Sequence, residues 1–330
     1  MSMKRDELTA QLQKAFGKPA ADAVMRFALP MAQIAMQDLD RDEIPIGASK
    51  YGGLPDLPEG TPWPMATAIL PHKPVGHTYP LTFVAQINFA EATPFLGDDP
   101  TWPREGLLSF FFDAVCCPVG DHDRREAEGF RLIWSPGQSV APTTFGAKLK
   151  AIFGKPADAT GPIALKRTAQ PTGTPPSGGD ADKFVLRERR ITFASTWTLV
   201  NGEGTESDAM RLVPAEPLQW WPTAFPMAEG PRHRLGGHAQ PEQGDPVDEC
   251  AEKSRFFRTG AAIRPIGEIM SGSPTLPNPA TRWRLLFQFD FSEDPDIACG
   301  HEHTQFYVCI SDASIRSRRF DEAAWSWDND

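Results

Sequence analysis

The segment Ser49-Lys-Tyr-Gly-Gly-Leu-Pro-Asp-Leu-Pro-Glu-Gly-Thr-Pro-Trp-Pro64 decides the fold, because the chain contains a second version of it. Far downstream stands His233-Arg-Leu-Gly-Gly-His-Ala-Gln-Pro-Glu-Gln-Gly-Asp-Pro246. Laid over each other without a gap, both segments read basic-x-Gly-Gly-x6-Gly-x-Pro. The matched pairs are Lys50 with Arg234, Gly52 with Gly236, Gly53 with Gly237, Gly60 with Gly244 and Pro62 with Pro246. A repeat of this kind predicts an internally duplicated protein.

A second motif recurs downstream of each Gly-Gly segment, in the same order. Leu81–Glu91 and Trp283–Glu293 both alternate apolar and polar residues, which predicts strands. Phe83, Ala85, Ile87 and Phe89 are expected to face one way in the first, and Leu285, Phe287, Phe289 and Phe291 in the second. An aromatic stretch follows each of them, at 107–113 and 305–311. The fold class predicted is therefore mainly β, with roll-like antiparallel sheets built by duplication.

The chain length and composition suggest how the duplicated units are arranged. Its 330 residues suffice for two ordinary domains or one two-lobed domain, and 33 prolines with 27 glycines favour turns over long helices. Leu8, Leu12 and Phe16 are spaced four apart, which predicts a helix over residues 3–16, and a second helix is predicted over 20–27. We divide the chain into N-terminal helices (1–30), a first β lobe (31–134), a Pro/Gly-rich insertion or linker (135–182) and a second β lobe (183–330).

The charge and the terminal sequence restrict the classes of partner and the location. A net charge of −10 argues against nucleic acid and against an anionic membrane surface, since both require a basic footprint. Met1–Leu8 carries charges where a signal peptide needs an apolar run, and five sparse cysteines do not suggest a disulfide framework. A cytoplasmic protein whose partner is another protein or a small molecule is therefore expected.

Polar residues at matched positions form the candidate binding site. If a pseudo-two-fold axis relates the lobes, the repeated polar residues are predicted to line one cleft between them: Lys50, Gly52, Gly53, Gln86, Asn88, Arg234, Gly236, Gly237, Gln288 and Asp290. In this interpretation Lys50 and backbone N–H groups bind an anion or a carbonyl. The alternative is structural. The proline-rich segment is then a rigid loop packed by Trp63, and the buried amides tie loops to the sheet.

Signals for catalysis, metals or cofactors are weak. Cys299, His301 and His303 stand on alternate positions, which suits a zinc site if the backbone is extended. A zinc site normally takes ligands from two separated clusters, so a solvated turn before a strand is the competing interpretation. The motif search finds no nucleophile elbow, phosphate loop or dinucleotide turn, and it predicts no cofactor.

Taken together, these motifs resemble the bacterial YwqG-like family. The resemblance rests on Ser49-Lys-x-Gly-Gly-Leu-Pro55 with Trp63-Pro64, on the strand around Gln86, and on Leu285-Leu-Phe-Gln-Phe-Asp290 with its following aromatic strand. It covers residues 30–134 and 183–320 and implies a mainly-β roll with internal pseudo-symmetry. Some members lie near bacterial toxin–immunity loci, which implies a non-enzymatic binding role. The alternative is a small-molecule binder or enzyme that uses the cleft between the lobes.

Overall fold

The computed structural model describes residues 4–38, 44–68, 77–114, 129–136, 164–171, 185–199, 233–241, 244–259, 282–291, 297 and 304–328. Helices within these ranges are α1 (Arg5–Phe16), α2 (Lys18–Met25), α3 (Phe89–Ala92), α4 (Pro246–Thr259) and α5 (Asp312–Arg316). The strands of the first part are β1 (Leu29–Asp38), β2 (Lys50–Tyr51), β3 (Asp56–Pro58), β4 (Met65–Ala68), β5 (His77–Pro80), β6 (Thr82–Asn88), β7 (Leu107–Phe112), β8 (Phe130–Ser135) and β9 (Leu165–Arg167). Those of the second part are β10 (Arg189–Thr198), β11 (Arg234–Gly236), β12 (Trp283–Asp290), β13 (Gln305–Ser311) and β14 (Ala324–Asp328).

One sheet dominates the architecture. Ten strands pair in the order β14-β13-β12-β11-β1-β10-β2-β6-β7-β8, every described pair is antiparallel, and the sheet is nearly closed. The mainly-β prediction is therefore confirmed. The predicted lobes contribute five strands each, which we call the first half (β1, β2, β6, β7, β8) and the second half (β10 to β14).

The sheet order has a pseudo-two-fold centre at the pairing of β1 with β10. Strand β2, which carries Lys50, pairs with β6, and β11, which carries Arg234, pairs with β12. Each half nevertheless gives its first strand to the other half, because β1 pairs with β11 and β10 pairs with β2. The two central strands run antiparallel with Ala35 opposite Thr192, the point about which the two ends of the sheet correspond.

The inner face of the sheet holds the apolar core, and the aromatic strands of the two halves meet there. Phe110 and Phe112 of β7 contact Phe306 of β13, with ring centroids 5.4 and 4.7 Å apart. Phe112 also lies 5.2 Å from Trp325 of β14. Contacts of this kind contribute about 0.5–1.5 kcal/mol each beyond the area they bury. The curvature of the sheet thus brings both halves around one shared aromatic core.

The predicted alternation is wrong for Phe83 in β6 and for Leu285 in β12, the first residue of each set that was expected to share one face. The register shifts between Phe83 and Ala85, and it shifts again between Leu285 and Phe287. Because a β-bulge inserts one extra residue, the side chain before it points to the opposite face. Phe83 and Leu285 consequently pack in clusters outside the main core. The bulges stand two residues before Gln86 and Gln288, at matched positions.

The two halves cover their outer faces by different means. In the first half, Leu57, Trp63 and Tyr79 from the loops and small hairpins cover Phe83 and Phe111. In the second half, α4 covers the outer face, and its Cys250 packs among Leu285, Tyr307, Cys309 and Ala324. This helix spans Pro246–Thr259.

Both ends of the described chain are anchored on the sheet. Helices α1 and α2 confirm the predicted amino-terminal helices and pack Leu8, Leu12 and Val24 against Trp197 and Leu199. At the other end, Ala324–Asp328 forms edge strand β14, which the sequence pattern did not predict. Its residues Trp325 and Trp327 lie against the core.

An ion-pair bridge ties the loop before β7 to the second half. Arg284 of β12 donates to Asp99 at 2.6 Å and also to Asp312. Burial by itself would raise the pKa of Asp99, but hydrogen bonds from Arg284 and Thr101 outweigh it and lower that pKa. The Asp99 carboxylate therefore stabilises the fold above its unfolded pKa, and this contribution is lost as the pH falls through the folded value.

Replacing Asp99 with asparagine is expected to lower the free energy of unfolding by about 1 kcal/mol at neutral pH. The difference from the wild type should begin to shrink below about pH 4, where the unfolded carboxyl becomes protonated, and should disappear once the pH has fallen through the lowered folded pKa. Urea unfolding at several pH values measures it. Asp98→Asn is the matched control, since Asp98 is exposed next to it. An equal loss in both variants, or a pH-independent one, contradicts the bridge.

Candidate functional site

The repeated glycines all occupy the left-handed region of backbone conformation. The φ angles are 64° and 68° at Gly52 and Gly53, and 68° and 73° at Gly236 and Gly237. Such values favour glycine, because a side chain there meets its own backbone. The Gly52 N–H donates to Val84 and the Gly53 N–H donates to Leu186, at 2.7 and 2.8 Å. Both donors are thus used within the sheet, whereas the anion-binding interpretation requires them to face a ligand.

The first polar cluster is built around Lys50, whose side chain has 0% exposure. Its Nζ donates to the carbonyl of Leu54 and to Glu188 Oε1 at 3.1 Å, and it lies 3.7 Å from Asp56 Oδ2. Gln86 accepts from the Asp56 backbone N–H at 2.9 Å and donates to the Asp56 carboxylate at 2.8 Å. The Asp56 carboxylate also accepts from Arg167 at 3.1 Å. Lys50 and Gln86 are therefore brought together, as predicted, with two carboxylates between the strands and the loop.

The second cluster repeats this pattern around Arg234. Its Nη1 donates to the His238 carbonyl at 3.2 Å, as Lys50 does to Leu54, and its Nη2 donates to Gln240 Oε1. Gln288 Oε1 accepts from the Gln240 backbone N–H at 3.0 Å, as Gln86 does from Asp56. In both clusters a cation on the strand binds the loop carbonyl four residues on, and a glutamine from the next strand binds the loop N–H six residues on.

Asn88 and Asp290 stand at the edge of these clusters and mainly fix the backbone. The Asn88 N–H donates to Ser49 Oγ at 2.8 Å, and the Asp290 N–H donates to His233 Nδ1 at 3.0 Å. The Asn88 side chain also caps α3, by accepting from the Ala90 N–H at 2.9 Å. Serine and histidine thus hold equivalent positions one residue before each cation.

Glu188 makes the first cluster different from the second. A Cβ added at Gly53 would lie 2.6 Å from the Glu188 carboxylate, whereas one at Gly237 would lie 2.9 Å from Cβ of Met31. Glu188 and Met31 therefore occupy equivalent places under the two loops. Glu188 Oε2 is buried and accepts no hydrogen bond from the described residues. Sequence reasoning missed Glu188, because its counterpart is apolar and the two share no repeated motif.

Opposing effects act on the pKa of Lys50 in the first cluster. Burial lowers the pKa of Lys50, with a smaller contribution from Arg167, while Asp56 and Glu188 act in the opposite direction. Lowered lysine pKa values occur at catalytic centres and also in structural ion-pair networks. Because Nζ is enclosed by a carbonyl and two carboxylates, the geometry here corresponds to the structural case.

The two clusters do not converge on one cleft. Strands β1 and β10 lie between β2 and β11, and each cluster is closed by its own Gly-Gly loop. The residues between them form a shallow surface on the outer face of β1 and β10, which we call the central strip: Gln33, Ala35, Gln37, Arg190, Thr192 and Ala194. Ala35 and Gln37 are exposed, and the other four side chains are half-buried. Among the described residues, the surface between the two clusters is this strip.

Other candidate sites are small or lie outside the described residues. A cavity of about 20 Å³ beside α4 is lined by residues that include His238, Pro246, Val247 and Leu285, and it has room for a water molecule. Cys299, His301 and His303 lie outside the described residues. Within the described part of the chain, no three His, Cys, Asp or Glu side chains are placed to hold a metal ion.

The fold and the clusters together define a pseudo-symmetric β roll whose repeated motifs serve as internal polar anchors. The chain belongs to the family described as a domain of unknown function (DUF1963), whose model matches residues 49–329. That range begins at the first Gly-Gly segment and extends beyond β14. No curated protein matches the chain. Among the described helices, none combines the length and the apolar character that crossing a membrane requires.

Proposed function

We propose that this protein is a non-enzymatic binding domain, produced by internal duplication, that holds a protein partner on the central strip in the cytoplasm. The observation that carries the proposal is the open outer face of β1 and β10, placed between two loops that are held rigidly by matched clusters. In a large sheet with well-covered faces, an exposed stretch such as Ala35 and Gln37 is a surface on which another molecule can rest.

The shape of the central strip favours a macromolecule over a small ligand. Small-molecule sites are concave and about 300–1,000 Å³ in volume. The strip is instead part of the continuous outer surface of a nearly closed sheet, and it carries short side chains such as Ala35, Thr192 and Ala194. Arg190 adds one cation, and arginine is enriched where proteins meet. A sheet surface of short side chains with the guanidinium of Arg190 fits a protein partner that has an acidic group opposite Arg190.

The resemblance to the YwqG-like family supports an immunity-type role within this proposal. Some members of that family lie near toxin–immunity loci, and an immunity protein acts by holding its toxin in a stoichiometric complex. Such a role requires rigid binding loops and no chemistry, which agrees with cations that are fully engaged in internal contacts. The partner expected is thus a protein encoded close to this chain.

Quantitative affinity capture from the source organism tests the proposal with two matched variants. Ala35→Glu places a charge on the central strip, opposite Thr192, while Ala90→Glu places the same charge on exposed α3, away from the strip. We expect Ala35→Glu to reduce capture of the partner at least about tenfold, which corresponds to roughly 1.4 kcal/mol. Ala90→Glu should leave capture unchanged. The melting temperatures of both variants confirm that they remain folded.

The proposal fails if no stoichiometric partner is recovered with the neighbouring gene products present. It also fails if the Ala35→Glu and Ala90→Glu variants both capture the partner as well as the wild type does. Loss of capture in both variants would place the contact elsewhere on the surface.

A second function is favoured by the unpartnered Glu188 oxygen. A buried carboxylate oxygen beside Lys50, without a described hydrogen-bond donor, suits a small ligand that carries an N–H or O–H group. A thermal-shift screen against metabolites tests this, because a ligand at 100 times its Kd adds about 2.7 kcal/mol of stability. A stabilising compound whose effect disappears in Glu188→Gln would favour this small-ligand function over the protein partner.

A further inference from the structure

Three ionisable side chains at the centre of the first cluster are shut off from solvent. The side chains of Lys50 and Asp56 have 0% exposure, and that of Glu188 has 4%. Lys50 Nζ lies 3.1 Å from Glu188 Oε1 and 3.7 Å from Asp56 Oδ2. A buried amino group thus stands between two carboxyl groups, and its nearer partner, Glu188, is 138 positions away in the chain.

The two carboxyl groups differ in the number of donors that stabilise their charge. Asp56 accepts from the Gly47 N–H at 2.9 Å, and it also accepts from Gln86 at 2.8 Å and Arg167 at 3.1 Å. Glu188 Oε1 accepts from Lys50, while Oε2 has no donor among the described residues. Hydrogen bonds stabilise a carboxylate, and a buried oxygen without one is costly. Glu188 is therefore the carboxyl group whose charge this cluster stabilises least.

We propose that Lys50 and Glu188 condense after folding into an intramolecular amide bond, which fastens β2 to the start of β10. Starting from the ion pair, a proton passes from Nζ to the Glu188 carboxylate and leaves an amine facing a carboxylic acid. Nζ then attacks Cδ and forms the C–N bond, while Asp56 accepts a proton from the nitrogen. Asp56 gives that proton to the hydroxyl on Cδ, the C–O bond breaks, and one water leaves. No oxidation state changes, and no other reactant is required.

The surroundings favour the amide over the ion pair. Two charges that are taken out of water carry a large desolvation cost, and the amide carries neither of them. Burial also lowers the pKa of Lys50, which increases the share of the nucleophilic neutral amine. The amide nitrogen keeps one hydrogen for its bond to the Leu54 carbonyl, and Asp56 keeps Arg167 as its counter-ion. Because condensation consumes an oxygen of Glu188, it excludes the small-ligand function at that side chain.

Two other sites in the chain lack what this reaction requires. The second cluster has Arg234 and Met31 at the equivalent places, and a guanidinium stays protonated while a thioether offers no carboxyl carbon. On α4, Lys253 Nζ lies 2.7 Å from Glu249 Oε1, but the Glu249 side chain is 26% exposed. The second oxygen of Glu249 also accepts from Ser326 at 2.6 Å. Among these three sites, we therefore expect the bond in the first cluster alone.

The intact mass of the full chain, measured in denaturant after the folded protein has been held at neutral pH, tests the inference. We expect wild-type protein to be lighter than its sequence by the mass of one water molecule. Digestion should release a branched peptide in which Lys50 Nζ is joined to Glu188 Cδ, and trypsin should no longer cleave after Lys50. A wild-type protein that keeps its full mass, or one whose Lys50 is joined to Asp56 instead, overturns the proposal.

Matched variants separate this bond from other reactions that release water, such as cyclisation at asparagine. Lys50→Arg and Glu188→Met each place in the first cluster the residue type of the second, and both should keep their full mass. Asp56→Asn should slow the condensation at least about tenfold, because it removes the proton acceptor. Lys166→Met, on exposed β9, should condense as the wild type does. Loss of water in folded Lys50→Arg contradicts the proposal, and where a variant does not fold, the wild-type branched peptide decides.

Discussion

Lys50→Met is expected to destabilise the protein by about 3–5 kcal/mol, because it leaves buried carboxylates without their cation. Lys50 Nζ lies 3.1 Å from Glu188 Oε1 and 3.7 Å from Asp56 Oδ2, and neither the lysine nor the aspartate side chain is exposed. Asp56 retains Arg167 and Gln86 as partners, so Glu188 suffers the greater loss. Urea denaturation at neutral pH, with the free energy extrapolated to water, measures the effect.

A double variant separates charge from packing in this prediction. Met31 takes the place of Glu188 beneath the second Gly-Gly loop, so Lys50→Met/Glu188→Met replaces cation and carboxylate together by apolar side chains. It should recover a large part of the stability that Lys50→Met loses, since an apolar pair avoids the cost of a buried unpaired charge. Lys166→Met is the control, because Lys166 is exposed on neighbouring β9. A double variant less stable than Lys50→Met would show that the ion pair is not the reason.

Gly52→Ala is expected to cost about 3 kcal/mol or more, since two separate penalties combine. Its φ of 64° is strained for alanine by about 1–2 kcal/mol. The added Cβ would also lie 2.3 Å from the backbone oxygen of Arg187, and this main-chain atom moves only with the segment that leads into β10. Chemical denaturation measures the total loss.

Two other glycines separate the conformational cost from the cost of the steric contact. Gly60 has φ of 81° with nothing within 4 Å of the added Cβ, so Gly60→Ala should show the conformational cost alone. Gly236 has φ of 68°, but its Cβ would meet the ends of the Leu96 and Trp102 side chains at 3.1 Å, and these can shift. We therefore expect losses in the order Gly52, then Gly236, then Gly60. Equal losses at Gly52 and Gly60 would show that the backbone contact carries no weight.

The sequence repeat was enough to predict the mainly-β fold class, whereas the separation of the matched residues into two clusters depends on the order of the strands. Lys50 lies beside Gln86, and Arg234 beside Gln288, because a cation on one strand and an amide on the next recur at fixed places in both halves. The positive φ of the paired glycines was also predictable, since the pairs stand in turns.

The features that sequence reasoning missed depend on long-range packing. Glu188 enters the first cluster only because β10 crosses to the other half, and no local pattern encodes that crossing. Asp56 and Gln240 were open to recognition, because both are polar and stand six residues after the repeated cation. The bulges before Gln86 and Gln288 reverse the facing of Phe83 and Leu285, although a regular alternation looks complete in the sequence.

The exchange of β1 and β10 has a consequence for how this chain acquires its structure. Strand β2 takes its second neighbour from the other half, and β11 does the same, so a half made on its own would leave one edge of its sheet and its own first strand without main-chain partners. The aromatic core would also lose one of its walls. Neither half is therefore expected to fold before the other. The two halves are expected to fold together and to unfold as one cooperative unit.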